Sequence, residues 1–152
     1  MSVPAANAFN SEIQAYNQRR AEKEMHDQSY ETCRNILIKV WRVTFLPPVI
    51  SDLNATLQVA NLNLWIEEKY HCIQPRFGNP YIAYAMTRPG IAEARENVFP
   101  DLRLELREDL AAHSNVKDDC GQVFILPLAG TFEVDRLVPV FAAFLRDCLK
   151  RF

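Results

Sequence analysis

The sequence predicts an α+β domain: an antiparallel meander of four to five strands packed against N- and C-terminal helices. Apolar residues recur at helical spacing after about position 30 and again after 131, whereas from about 70 to 127 they mostly alternate with a period of two. A chain of 152 residues with 49% hydrophobic content is the size of one such domain. Helices at both ends of a set of antiparallel strands predict one helical layer on one sheet.

The N-terminal segment is much more polar than the rest. Residues 10–29 have a helix-forming composition, and Phe9, Ile13 and Tyr16 add a short apolar stripe. We therefore expect residues 1–29 to form a polar N-terminal helix or arm, and residues 30–152 to form a single α+β domain. An element with so little apolar surface is rarely ordered alone, so the arm is a second candidate contact element.

A second helix is predicted after Ser29, which is a suitable cap. Its apolar positions are Cys33, Ile36, Leu37, Val40 and Trp41. Pro47 and Pro48 are expected to end this helix, because proline lacks the backbone N–H. Residues 51–68 fit either a helix or a strand. We favour a helix through about Glu68, and both interpretations stay open.

Three stretches predict strands. The segments on either side of Gly78-Asn79-Pro80 are typical of a hairpin. Residues 101–109 alternate leucine with charged residues, which predicts one buried and one solvated face. Residues 121–128, GQVFILPL, are almost wholly apolar and predict a strand that is covered on both sides.

The stretch before that last strand, HSNVKDDC at 113–120, is crowded with polar residues. Asn, Asp and Gly are the residues that turns prefer, so we predict a turn here.

The final element is a helix that we expect to begin near Thr131 and to carry one apolar stripe. The stripe comprises Val134, Leu137, Val138, Phe141, Phe144, Leu145, Cys148, Leu149 and Phe152. It is expected to lie against the strands.

Composition excludes several functional classes. A net charge of −2 argues against nucleic acid as a partner, because phosphate binding needs clustered Lys and Arg. No apolar run approaches the roughly 20 residues that span a bilayer, so no membrane partner is expected. The N-terminus lacks the order of a signal peptide, and we expect a cytoplasmic protein.

Metal and cofactor binding are not expected. The four cysteines are Cys33, Cys72, Cys120 and Cys148, and none forms a C-x-x-C pair. In a reducing cytosol they are expected to be free thiols. The sequence also lacks a phosphate-cradling glycine loop and a recognisable nucleophile motif. We therefore predict no cofactor, no metal site and no catalytic residue.

One catalytic alternative stays open, a cysteine-dependent transfer enzyme that uses Cys120 with His113. Both residues lie in the polar stretch at 113–120. Asp118 and Asp119 argue against it, because a reactive thiolate is favoured by positive neighbours.

Residues 75–150 resemble the ubiquitin-conjugating-enzyme fold. The similarity lies in Pro80-Tyr81, Phe99-Pro100, His113-Ser114-Asn115-Val116 and Gly121 to Ile125, which follow the order of that family's marks. Phe124 stands where the family has its thioester-forming cysteine, and Ser114 replaces the proline of its His-Pro-Asn motif. Asn115 corresponds to the asparagine that stabilises the oxyanion there.

The resemblance therefore implies a catalytically inactive, cysteine-less variant that binds a partner instead of transferring ubiquitin. It also requires the strands near residues 70, 82, 104 and 124 to be consecutive antiparallel neighbours.

Residues 126–145 also resemble the end of small dimeric secretion-chaperone domains, where a strand ending in Leu-Pro-Leu leads into a long apolar helix. Ala60-Asn61-Leu62 fits that family too. This alternative implies a homodimer that is buried through the last helix.

Both resemblances lead to the same expectation, a non-catalytic protein–protein interaction module of the adaptor or chaperone-like kind. Its partner is expected to be another protein, with a homodimer as the alternative. The candidate partner-binding residues are Arg76, Phe77, Tyr81, His113 and Asn115. Aromatic residues and Arg are the types that anchor interfaces.

Overall fold

The computed structural model describes residues 3–72, 78–88 and 100–151. It divides into two compact units, Met1–Thr32 and Cys33–Phe152. Helix α1 spans Val3–Asn35 and forms the whole of the described first unit. Phe9, Ile13 and Tyr16 are exposed along it.

The second unit opens with a long run of helix that the two prolines do not interrupt. A π-helical segment, Ile36–Phe45, leads directly into helix α2, Leu46–Val59. The prediction that Pro47 and Pro48 end the helix is wrong. They lie in the first turn of α2, where the helix does not need their missing N–H groups. At the junction the N–H of Leu46 bonds to the C=O of Trp41, the wide i→i−5 bond of π winding.

The favoured interpretation of residues 51–68 as helix throughout is also wrong at its end. Helix α2 stops at Val59, and the following residues enter a strand at Trp65. Asn61 and Asn63 adopt positive φ angles of 58° and 53°. Asparagine tolerates this left-handed conformation, which interrupts the helix and turns the chain into the sheet.

Five antiparallel strands form one sheet in the order β1-β2-β3-β4-β5. The strands are β1 Trp65–Cys72, β2 Tyr81–Thr87, β3 Leu102–Leu106, β4 Ala111–Lys117 and β5 Val123–Pro127. The predicted α+β class, with an antiparallel meander between N- and C-terminal helices, is confirmed. The predicted hairpin is confirmed as well, because Cys72 pairs with Tyr81.

Two predictions about the last strands are wrong. Residues 113–116 lie within β4 and not in a turn, which begins only at Asp118. Strand β5 is an edge strand, with Val123 and Ile125 exposed, and so is not covered on both sides.

The position of β4 also bears on the ubiquitin-conjugating resemblance. Residues near 104 pair with β4, and β4 separates them from the strand near 124. The consecutive order that the resemblance requires is therefore not found, and the sheet gives it no support.

The core lies on one face of the sheet. Leu102, Leu104 and Leu106 are fully buried on this face, as their alternation predicts. Helix α3, Val134–Leu149, begins after Glu133 rather than at Thr131. Its buried residues are Leu137, Val140, Phe141, Ala143, Phe144 and Cys148, whereas Val134 and Val138 are exposed. The rings of Phe141 and Tyr84 meet edge-on, with 5.7 Å between their centroids. The centre of the stripe assigned to a dimer interface is thus buried within its own chain, while Leu149, like Val134 and Val138, is exposed.

The buried thiol of Cys148 makes folding sensitive to alkaline pH. Burial, assisted by the charge of Asp147, raises the pKa of Cys148 to about 12. An unfolded thiol titrates near pH 8.5, so above that pH the unfolded chain releases a proton that the folded chain keeps. Stability is therefore fully present below about pH 8.5 and falls as the pH rises, by up to about 1.4 kcal/mol per pH unit from this group.

We expect urea unfolding of the Cys148→Ala variant to show a shallower loss of stability between pH 8 and pH 10 than the wild type. Cys120→Ala is the matched control, because Cys120 is exposed, and it should keep the wild-type slope. Equal slopes for all three proteins would contradict the assignment.

Candidate functional site

The face of the sheet opposite the core carries polar and aromatic side chains. Strand pairing places Cys72, Tyr81, Glu105 and His113 side by side across the first four strands. These residues alternate with the core residues on each strand, so their side chains project to the other side. We call the open face the surface formed by Tyr70, Tyr81, Arg103, Glu105 and His113.

An aromatic and arginine cluster occupies one end of the open face. The guanidinium carbon of Arg103 lies 3.7 Å from the ring centroid of Tyr81. The ring of Tyr70 meets that of Tyr81 edge-on, with 5.6 Å between centroids. A β-bulge between Glu68 and Tyr70 shifts the register of β1 here. Tyr70 keeps 41% of its surface exposed, so the cluster presents a ring to solvent.

His113 is held by an aspartate from the turn before its own strand. Its Nε2 lies 2.7 Å from Oδ2 of Asp109, and the other carboxylate oxygen accepts the N–H of Ala111 at 3.2 Å. Burial alone raises the pKa of Asp109, but the bonds from His113 and Ala111 outweigh it, and the pKa is lowered. Asp109 therefore stays ionised at neutral pH and orients the imidazole ring.

The side chain of Asn115 makes the hydrogen bonds that a backbone residue of β4 would otherwise make to β3. Its Oδ1 accepts the N–H of Arg103 at 2.7 Å, and its Nδ2 donates to the C=O of Asp101 at 2.9 Å. The amide side chain thereby continues the pairing of β3 with β4 and fixes the backbone of Arg103. Its role in the structure is positioning.

Ser114 performs a similar task on the other side of β4. Its hydroxyl donates to the C=O of Val116 at 2.8 Å and accepts the N–H of Phe124 at 3.1 Å. The register between β4 and β5 shifts between His113 and Lys117. The side chain of Ser114 satisfies backbone groups that this irregularity would leave unpaired.

The two aspartates beside Cys120 build the hairpin turn. Oδ1 of Asp118 accepts the N–H groups of Cys120 and Gln122, at 2.9 and 3.0 Å. Arg146 on α3 donates to Asp119 at 3.0 Å and to the C=O of Lys117 at 2.6 Å. These contacts tie the hairpin to the helix, so both aspartates have a structural role.

Cys120 and His113 lie at opposite ends of β4. His113 bonds to Asp109 in the turn before the strand, whereas Cys120 lies in the hairpin after it. A nucleophile and its base need hydrogen-bond contact. The structure does not bring this pair together.

A separate cavity of about 330 Å³ lies between the π-helical segment, α2 and the first two strands. Arg42 and Glu68 form an ion pair at 3.3 Å in its wall, and Trp65 lines it as well. The buried phenol of Tyr84 also lines it, and burial together with the charge of Glu68 raises the Tyr84 pKa. Within the described part of the chain, no group of three or more His, Cys, Asp or Glu residues is arranged to hold a metal ion.

Three of the five predicted partner-binding residues lie on or directly support the open face. Tyr81 and His113 belong to it, and Asn115 holds the backbone of Arg103. Arg76 and Phe77 lie outside the described residues. The sequence prediction omitted Tyr70 and Arg103. The alternation of residues 101–109 places Arg103 with Glu105 on the solvated face, and that signal was available.

Comparisons with known proteins add no family. Among the described residues, no helix has both the length and the apolar character needed to cross a membrane. No protein-family model matches the chain, and searches of curated proteins and of solved structures find no match either.

Proposed function

We propose that this chain is a non-catalytic protein–protein interaction module that binds its partner with the open face. The observation that carries the proposal is the stack of Arg103 on Tyr81 beside the exposed ring of Tyr70. Tyrosine and arginine are enriched among the residues that dominate binding energy at interfaces. Their rings and guanidinium are already fixed by contact with one another, so binding orders few additional side chains.

The charges around the open face favour a protein over a nucleic acid as the partner. Positive and negative groups are interspersed and paired: Lys69 lies 3.1 Å from Asp101, and Arg107 lies 3.0 Å from Glu105. A nucleic-acid site needs an excess of cations to displace counterions from phosphates. A mixed surface around an aromatic centre is instead typical of a protein interface.

The alternatives have less support from the described residues. The transfer enzyme needs Cys120 and His113 in contact, and they lie at opposite ends of β4. The secretion-chaperone alternative needs the stripe of α3 for a partner, and its four central residues Leu137, Phe141, Phe144 and Cys148 are buried within this chain. The ubiquitin-conjugating resemblance stays a prediction, and the binding proposal does not depend on it.

Site-specific photo-crosslinking in the native host tests the proposal. We expect a photoreactive phenylalanine analogue at Tyr70 to give a discrete adduct with one partner protein, because this ring faces solvent beside the cluster. The same analogue at Gln58, which is exposed on α2, is the control and should not give that adduct. Identical adducts from both positions, or none from Tyr70, would contradict a binding role for the open face.

A further inference from the structure

The two edges of the sheet are protected very differently. At β1, the side chain of Asn54 accepts the N–H of Ile66 at 2.7 Å and donates to its C=O at 2.9 Å. One buried amide thus occupies both backbone groups that Ile66 presents at the edge. Natural proteins block sheet edges in such ways because a free edge pairs with other strands.

Among the described residues, no side chain bonds to the outward backbone groups of strand β5 as Asn54 does at β1. The N–H of Phe124 bonds to Ser114 on β4, so Phe124 directs its backbone groups inward. Backbone direction alternates along an antiparallel strand, so Val123 and Ile125 direct their N–H and C=O groups away from β4. Their side chains are 38% and 52% exposed. The strand Val123–Pro127 contains no charged residue, and only Pro127, at its end, lacks an N–H.

An apolar groove runs beside this edge. It has a volume of about 400 Å³ and lies between Phe124 and the α3 residues Pro139, Ala142 and Ala143. Asp118, Asp119 and Arg146 also line it, where the hairpin meets α3. A strand added beside β5 gains main-chain hydrogen bonds from the edge, and its alternate side chains enter such a groove.

We propose that the occupant of this edge is β5 of a second copy of the chain, paired antiparallel about a two-fold axis. Val123 and Ile125 give the edge an exposed, apolar surface, and β5 of a second copy offers an uncharged, apolar strand that matches it. In a two-fold pair, the residue at the axis faces its own counterpart and the others face residues of the same short strand, so a charge near the axis would oppose pairing. Val123–Pro127 carries none.

The flank of α3 favours a second copy over an isolated peptide. Stable interfaces bury about 1,200–2,000 Å² in total, more than the pairing of two five-residue strands provides. Ala142 and Pro139 lie beside the edge and are exposed. In a two-fold dimer the same flank of each copy adds to the buried area.

The edge borders the open face, because Ile125 pairs with His113. The dimer depends on the backbone of β5 and the proposed function on the cluster of Tyr70, Tyr81 and Arg103, so sedimentation and crosslinking test them separately.

Sedimentation equilibrium of the full chain over a wide range of concentration tests the dimer. We expect a monomer–dimer equilibrium, and we expect Ile125→Lys to raise the dissociation constant roughly tenfold, because two lysines would face each other at the axis in place of two apolar side chains. The control is Val43→Lys, which changes an equally exposed valine on the π-helical segment and should leave the equilibrium unchanged.

Amide exchange gives a readout at the backbone itself. The N–H groups of Val123 and Ile125 should be protected at high concentration and should exchange freely on dilution, while the rest of the sheet stays protected. A monomer at every concentration, or a dimer that Ile125→Lys does not weaken, would overturn the proposal. Protection of the same two amides by a partner peptide in a monomeric chain would also overturn it.

Discussion

Replacing Phe144 with alanine is expected to lower the free energy of unfolding by about 3–5 kcal/mol, the usual cost of removing a fully buried phenylalanine ring. Phe144 is completely inaccessible on the sheet side of α3. The helix covers the core face through this residue and its neighbour Phe141, which meets Tyr84 of β2. A loss of this size is a large part of the roughly 5–15 kcal/mol that stabilises a domain.

Urea unfolding monitored by circular dichroism measures this effect. Val134→Ala is the matched control on the same helix, because Val134 is 44% exposed. Its stability should stay within about 0.5 kcal/mol of the wild type. A loss below about 1 kcal/mol for Phe144→Ala would mean that α3 does not complete the core, since cavities of this size cost more.

Replacing Asn54 with alanine is expected to cost about 2–4 kcal/mol, because it leaves both backbone groups of Ile66 without a partner in a buried place. Asn54 is only 3% exposed, and both of its hydrogen bonds go to Ile66. The variant also frees the N–H and C=O of Ile66 at the β1 edge for pairing with another strand, so we expect it to associate more readily than the wild type.

Urea unfolding of the Asn54→Ala variant checks the energy, and amide exchange at Ile66 checks the cause. Gln58→Ala, one turn further along α2 on an exposed position, should leave both unchanged. Unaltered exchange at Ile66 in Asn54→Ala would show that the amide does not hold this edge.

The sequence predicted the elements whose signal is local. Alternation in residues 101–109 gave β3 and its buried leucines correctly, because each leucine meets the core every second residue. The stripe of the last helix predicted the helix itself, although Val134, Val138 and Leu149 in that stripe are exposed. The helix ends were less predictable. Pro47 and Pro48 normally stop a helix, but here they fall in the first turn of α2, directly after the π-helical segment, where their missing N–H groups are tolerated.

Strand β4 shows why other parts were not predictable. Ser114 and Asn115 are turn-forming residues by type, yet here their side chains replace missing backbone bonds within a strand. That use depends on where β3 and β5 lie, which no local pattern reveals. The edge position of β5 is similar, because an apolar run does not tell a central strand from an edge strand that meets another chain.

The open face was predictable in part. Tyr81 and His113 were selected by residue type, and strand pairing places both beside Glu105. The stack of Arg103 on Tyr81 needs the register of β2 against β3. The contribution of Tyr70 needs the bulge in β1 as well. Neither can be read from a single sequence.

The most direct measurement of the central claim is the affinity of the Tyr81→Ala variant for the partner that the Tyr70 crosslink captures, measured by isothermal titration calorimetry. Loss of an interface anchor costs about 2 kcal/mol or more, so we expect binding to weaken at least roughly 30-fold. Val43→Ala, at an exposed valine outside the open face, should bind like the wild type. Wild-type affinity in a correctly folded Tyr81→Ala variant would contradict the account.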